Sequence, residues 1–436
     1  MNKQAIWLLL VALPRYFAIL TGNQGPLLSQ GSRLPLQTPH SGYHWRYGRR
    51  KRVCEGWYYR VTIPEERASF CFMYSLENPS VARKPASNDT NGGMGGYRLV
   101  GAQVLGPNDT YLVQTSERVE DFWTWRDGLG LGFVFNASLL PTASSPPGGG
   151  IGFGGLVDPS DFRAQVHTAA TPPSASGSTA SGFCGFQSTT TFHQGRLVDD
   201  GQAVEAEWEY VTEPLAGWGT SDGRQSSQRS TAGWLASFPV FEPHWQVTMA
   251  HGLATGHIKM GGKRYELRDA PAYAEKNWGG SFPMKWFWTQ CNAFEGYPSL
   301  AVTAGGGRRV LPLVRTTEDL GLIGIHYESQ FYEIVPWCGP MTWDVANWGR
   351  WNFGGMNTDV VAEFNVRCLD SNGTVIRAPT ADSGLAPFAR DSMLGEATLS
   401  LWHRDDGCED HKGAVIVDGA RSFNCGVEVG GGPWWE

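Results

Sequence analysis

The stretch Phe238-Pro239-Val240-Phe241-Glu242-Pro243-His244-Trp245, followed on to Gly296, decides how this chain is read. Beyond Trp245, Ile258 and Met260 alternate on one side of Gly261-Gly262, and Tyr265 and Leu267 alternate on the other. Two glycines flanked by alternating apolar residues mark a two-residue turn between antiparallel strands. Next come Asp269-Ala270-Pro271-Ala272-Tyr273-Ala274-Glu275-Lys276-Asn277-Trp278 and Trp286-Phe287-Trp288. Acids therefore sit among tryptophans. A carboxyl group moved into apolar surroundings is disfavoured in its charged form, so its pKa rises and it can donate a proton at neutral pH. Aromatic ring faces stabilise a nearby cation once water is excluded. The plainer alternative makes the tryptophans core residues and the acids partners of Lys276, Arg264 or Arg268.

The same period-two pattern extends outward in both directions. Trp57, Tyr59, Val61 and Ile63 alternate with Tyr58, Arg60 and Thr62, and Val204, Ala206, Trp208 and Tyr210 alternate with Glu205, Glu207 and Glu209. Each reads as a strand with one face inward, the glutamates forming a solvent face. Phe70–Leu76, Leu99–Leu105, Ile323–His326, Phe331–Val335, Ala362–Arg367 and the set Ala397, Leu399, Leu401 are also of strand length. No amphipathic helix of three turns stands out. Short strands separated by turn residues predict an all-β chain built of antiparallel barrels or sandwiches.

At 436 residues the chain exceeds what a single hydrophobic core supports, so two domains are expected. A formal charge of −7 supplies no basic field for a nucleic-acid backbone. The eight cysteines are scattered, with no Cys-x-x-Cys pair and no zinc-ligand spacing. Buried thiols are the default reading, with disulfides open if the chain enters an oxidising compartment. Gly305-Gly306-Gly307 runs into arginines without the flanking helix that a phosphate cradle needs.

Residues 1–38 read as a targeting leader. The first 54 residues contain no Asp or Glu but carry eight Lys and Arg, and a short apolar run from Ala5 to Leu13 follows Lys3. A signal-like core with a basic, transit-like tail suits a plastid reached through the secretory pathway. Plain secretion is the competitor, with four possible glycosylation sequons at Asn88, Asn108, Asn136 and Asn372. Pro141–Gly182 is rich in Gly, Ser, Thr, Ala and Pro, and is expected to be a mobile, dispensable insertion.

Eight segments in order resemble the tocopherol cyclases, the enzymes that close the chroman ring of vitamin E. They are Thr38–His44, Glu55–Val61, Ser69–Ser75, Phe238–Gln246, Arg268–Trp288, Ala304–Gly307, Arg377–Thr380 and Gly430–Trp434, spanning Thr38 to Trp435. The family is similar to a wider group that includes carotenoid hydratases. That likeness implies two lipocalin-like antiparallel β-barrels in tandem, residues 39–282 and 283–436. Barrels of this kind can enclose one apolar ligand.

The resemblance also implies a phytyl benzoquinol substrate and a plastid setting, at the thylakoid or plastoglobule. Peripheral contact with a plastid membrane or lipid-droplet surface follows from such a substrate. The chemistry requires a proton for the alkene, a sheltered tertiary cation and capture by the phenol oxygen. It calls for no metal and no redox cofactor.

Glu275 is the first choice of acid, since Tyr273-x-Glu275 matches the Tyr-x-acid position of the related hydratases, with Tyr273 either orienting it or stabilising charge. Asp269 is the runner-up. Glu242, His244, Trp245, Asn277, Trp278, Trp57 and His193 are the expected substrate-binding residues. Two other functions remain open at this stage: hydration of an alkene by a related enzyme, and noncatalytic carriage of prenylquinols or tocopherols.

Overall fold

The computed structural model describes residues 42–44, 52–78, 98–126, 128–135, 156–167, 184–199, 204–220, 228–233, 243–280, 282–311, 316–380 and 383–431. These are nearly all strand. The first sheet contains β1 (Cys54–Ile63), β2 (Ala68–Glu77), β3 (Leu99–Leu105), β4 (Tyr111–Ser116), β5 (Trp123–Thr124), β6 (Gly130–Phe135), β7 (Cys184–Thr189), β8 (Phe192–Asp199), β9 (Val204–Ala216), β10 (His244–Met260) and β11 (Lys263–Gly279). The second contains β12 (Lys285–Cys291), β13 (Ala301–Leu311), β14 (Thr316–Tyr327), β15 (Gln330–Ile334), β16 (Met341–Val345), β17 (Arg350–Met356), β18 (Val360–Arg367), β19 (Thr374–Thr380), β20 (Gly384–Arg404) and β21 (Lys412–Gly431).

Both sheets share one topology. The strand order is β4-β3-β2-β1-β11-β10-β9-β8-β7-β6-β5 in the first, and β15-β14-β13-β12-β21-β20-β18-β17-β16 in the second, with β19 also paired to β20. Each is an antiparallel meander whose first and last strands pair, leaving a seam partway along. The right-handed twist of successive strands curls each sheet into a lipocalin-like barrel. From the edge strand β4, Gln114 donates to the Val198 carbonyl of β8 at 2.6 Å. The hairpin over Gly261-Gly262 has both glycines at positive φ, 58° and 80°, the backbone that a tight two-residue turn requires.

Alternation along the strands sorts the side chains into three cores. Trp57, Phe72, Phe186 and Trp208 fill the first barrel, and Phe287, Trp351, Phe364 and Leu399 fill the second. A third cluster, including Tyr58, Tyr273, Val247, Trp286, Trp288 and Met393, lies where the outer faces of the two sheets meet. Arg60 is 1% exposed and fastens this junction. Its guanidinium, on β1, donates to Gln290 Oε1 at 2.6 Å and to the Asn424 carbonyl, while Asn292 Nδ2 returns a bond to the Ala272 carbonyl at 2.9 Å.

Part of the segment expected to be mobile is ordered. Pro159–His167 forms helix α1, with Phe162 and Val166 buried. Its Arg163 and His167 pair with Glu209 and Glu207. Those β9 glutamates are therefore half-covered partners of the helix and not a plain solvent face. The local composition hid this, because two apolar residues four apart suffice when the receiving surface already exists. The eight cysteines form no disulfide with one another among the described residues.

Candidate active site

The β11 segment Tyr273–Trp278 builds the site by alternation. Tyr273, Glu275 and Asn277 point to the outer face of the first sheet, and Ala272, Ala274 and Lys276 point into its barrel. Adjacent in sequence, Glu275 and Lys276 thus lie on opposite faces. Lys276 Nζ pairs with Glu55 Oε2 at 2.8 Å, both side chains being buried, and it also contacts His44 Nδ1 at 2.9 Å. Burial opposes charge on Glu55, yet Lys276 and His44 hold its carboxyl below the usual range. Burial also pulls Lys276 below the ordinary lysine value, against the attraction of Glu55. The ion pair that would have spoiled Glu275 as an acid is made by Glu55 instead.

Glu275 is 7% exposed and collects four donors. Its Oε2 accepts from Tyr273 Oη at 2.6 Å, Trp245 Nε1 at 2.8 Å and Trp288 Nε1 at 3.1 Å, and its Oε1 accepts from Asn277 Nδ2 at 3.2 Å. Burial pushes its pKa up, and these four hydrogen bonds pull it partly back. Three donors come from the first sheet. Trp288 comes from the second.

Beside Glu275 is a cavity of about 250 Å³. Its wall includes Tyr58, Met73, Trp245 and Trp278 of the first sheet, and Trp286, Trp288, Gly305 and Leu322 of the second. Among the described residues aromatic side chains pack the interiors of both barrels, and this cavity is walled by both sheets. A second carboxyl borders it. Glu428 on β21 lies opposite Trp288 in register and accepts from Trp286 Nε1. Burial, with Glu275 adding repulsion and Trp286 opposing, pushes its pKa up to about 7.

His244 borders the cavity and stacks on Trp278 with centroids 5.0 Å apart; His44 stacks against the same indole at 4.2 Å. Burial holds the His244 pKa below its usual value. Trp57 packs into the first barrel and edges the cavity. Two expected residues lie elsewhere. Asp269 is exposed at φ 51° on an irregular part of β11 and touches Thr255 Oγ1 at 3.4 Å, so the bulge turns it to solvent, away from the cavity. His193 is sealed in the first barrel, bonded to Ser188 at 2.6 Å and stacked on Tyr210, and burial lowers its pKa to about 3. It is a packed, neutral core residue. Glu242 falls outside the described residues.

Glu428 went unread in the sequence. Its only signal is Gly426-Val427-Glu428-Val429-Gly430, where glycines two residues either side clear the same face for large neighbours. Trp288 and Trp286 fill that clearance.

Fold and site together define a lipocalin-like double barrel with an aromatic, acid-bearing cavity between its sheets. Residues 51–431 match the family model described as tocopherol cyclase-like. The chain belongs to that family. It is 44% identical over 411 residues to the probable chloroplastic tocopherol cyclase of Oryza sativa subsp. japonica, covering 92% of this chain and 80% of that one. It is also 44% identical over 409 residues to the chloroplastic tocopherol cyclase of Zea mays, covering 92% and 79%. Among solved structures, a putative AttH protein of Nitrosomonas europaea aligns over 94% of this chain and 99% of its own, with 11% identity and a TM-score of 0.45.

Proposed function

We propose that the protein closes the chroman ring of a phytylated benzoquinol in the cavity between its two sheets, with Glu275 as the proton donor. The activity rests on the family: tocopherol cyclases of rice and maize match 92% of the chain. The reaction is an intramolecular addition, so substrate and product are isomers and the enzyme is an intramolecular lyase of the isomerase class. Its substrate is a small lipid.

The single observation that carries the assignment of Glu275 is the set of four donors converging on one buried carboxyl. At rest, burial raises the pKa of Glu275 and so favours its protonated form. As that proton moves to the trisubstituted alkene, charge grows on the carboxylate, and preorganised donors stabilise it without rearrangement. The tertiary cation forms among Tyr58, Trp245 and Trp288, whose ring faces favour positive charge. Tyr273 orients the acid, and His244 and Trp278 hold the quinol ring. Exclusion of water favours the phenol oxygen over hydration, and holding that oxygen close contributes through proximity.

The test is incubation of the protein with a phytylated methylhydroquinone, reductant and no added cofactor. Chromanol from wild type, lost in folded Glu275→Gln, supports the reading. A tertiary alcohol instead indicates a hydratase, and binding without turnover indicates a carrier. The rice and maize relatives are chloroplastic, and this protein is correspondingly a plastid protein. Entry by a signal-plus-transit leader and residence at thylakoid or plastoglobule surfaces complete the proposal.

A further inference from the structure

Ring closure by proton addition leaves one proton unaccounted for. The alkene carbon gains a proton from the acid, and the phenol loses one when its oxygen bonds to the tertiary carbon. A second group must take that proton and restore it to the acid.

We infer that Glu428 is this second catalytic carboxyl: it accepts the phenol proton as the carbon–oxygen bond forms, while Glu275 gives its own to the alkene. This rests on the ring-closure reading above. Three geometric facts carry it. Glu275 and Glu428 border the same cavity, one from each sheet. Glu275 is filled with donors, whereas Glu428 has a single indole donor on Oε1, leaving Oε2 for a substrate hydroxyl. Behind Glu428, directly opposite on β20, is Asp391, whose oxygens are buried and accept no side-chain hydrogen bond.

That third fact bears on which group carries charge. Asp391 is 0% exposed, and burial together with repulsion from Glu428 and Asp109 pushes its pKa far up, against the pull of Arg60. Like charges side by side do not both ionise; burial favours the neutral form of Asp391, and Glu428, which borders the cavity, is the one of the two placed to meet a substrate. The titratable and charged groups around this pair and its cavity include Glu275 and Tyr273 of β11, Tyr58 and Arg60 of β1, Cys71 of β2, Asp109, His244 of β10 and Arg377 of β19. A base that titrates to about 7 is matched to neutral conditions. The balance then closes: Glu275 ends ionised and Glu428 protonated. When product leaves, water entering the cavity relays the proton from Glu428 to Glu275 and restores the resting state with no net proton taken up.

The experiment measures chromanol formation against pH in wild type, Glu428→Gln and Glu428→Asp, with folding followed by circular dichroism. Glu428 must be ionised to act, so wild-type kcat/KM should fall as pH drops through about 7. Glu428→Gln keeps an acceptor for Trp286; it should lose about 100-fold in kcat and flatten that acid-side limb. Glu428→Asp should keep the limb at reduced rate, as a merely structural role would not require. Folded Glu428→Gln with wild-type rate and limb overturns the assignment to Glu428 alone. Absence of chromanol from wild type overturns the ring-closure reading and this inference with it.

Discussion

Trp288 of the second sheet donates its indole N–H to Glu275 Oε2 of the first at 3.1 Å. The acid of one barrel is thus held by the other, and the site exists only when the two sheets dock. Trp288→Phe keeps the ring and deletes the donor. A hydrogen bond to a charged group contributes about 1.5–3 kcal/mol, equivalent to roughly 10- to 100-fold in rate when it acts in the transition state. The lost donor favoured the ionised form, so the Glu275 pKa rises. An acid must be protonated to work, and kcat is lost as pH climbs through its pKa. The alkaline limb of the pH–kcat profile should therefore move to higher pH, together with the lower rate.

What was legible in the sequence was local. Alternation in Trp57–Ile63 and Val204–Tyr210 located β1 and β9, and the glycine pair at 261–262 located the long hairpin. In the folded chain the alternate spacing of Tyr273, Glu275 and Asn277 along β11 puts the three on one face. The position of the cavity was not legible, because it depends on which outer faces meet. Glu428 reaches Trp288 through pairing of β21 with β12, strands about 140 residues apart in the chain, and no local pattern encodes that register. Asp269 misled for a local reason. Strict alternation places Asp269 on the same face as Tyr273 and Glu275, but its positive φ and the register shifts between β10 and β11 turn it to solvent.

The buried Lys276–Glu55 pair is expected to serve stability. Lys276→Met leaves Glu55 charged, buried and without its cation, which costs about 3–5 kcal/mol. The double variant Lys276→Met/Glu55→Gln should recover part of that loss, which urea denaturation can measure. A pH series adds a second check. The folded Glu55 carboxyl is held below its usual range, so its contribution is full above the unfolded value of about 4.3 and is lost as pH falls through the folded one. Single-variant stability equal to wild type would show that the pair contributes nothing.

Helix α1 docks through Phe162 and Val166 on one side and Arg163 on the other, at a distance from the cavity wall. Phe162→Ala should release it locally, since small units with few apolar contacts open independently of the whole fold. Limited proteolysis would then cut between 156 and 167, and amide exchange there would quicken. The rate of chromanol formation should stay at the wild-type level. A fall in that rate would mean the helix supports the site.

The last prediction concerns room for an indole. Gly430 on β21 pairs with Trp286 on β12, and a Cβ added there would land on the Trp286 ring. Gly56 on β1 also lies near the cavity, but a Cβ there would meet only the Tyr74 carbonyl oxygen, at 3.8 Å. Both changes add one methyl group to one protein, so they separate steric position from composition. Gly430→Ala should destabilise by about 1–3 kcal/mol, as overpacking does. It should also cut turnover, because the displaced ring carries the N–H that Trp286 donates to Glu428. Gly56→Ala should change neither thermal midpoint nor rate by a comparable amount. If Gly430→Ala matches wild type in both measurements, the indole has another resting place and its bond to Glu428 is dispensable.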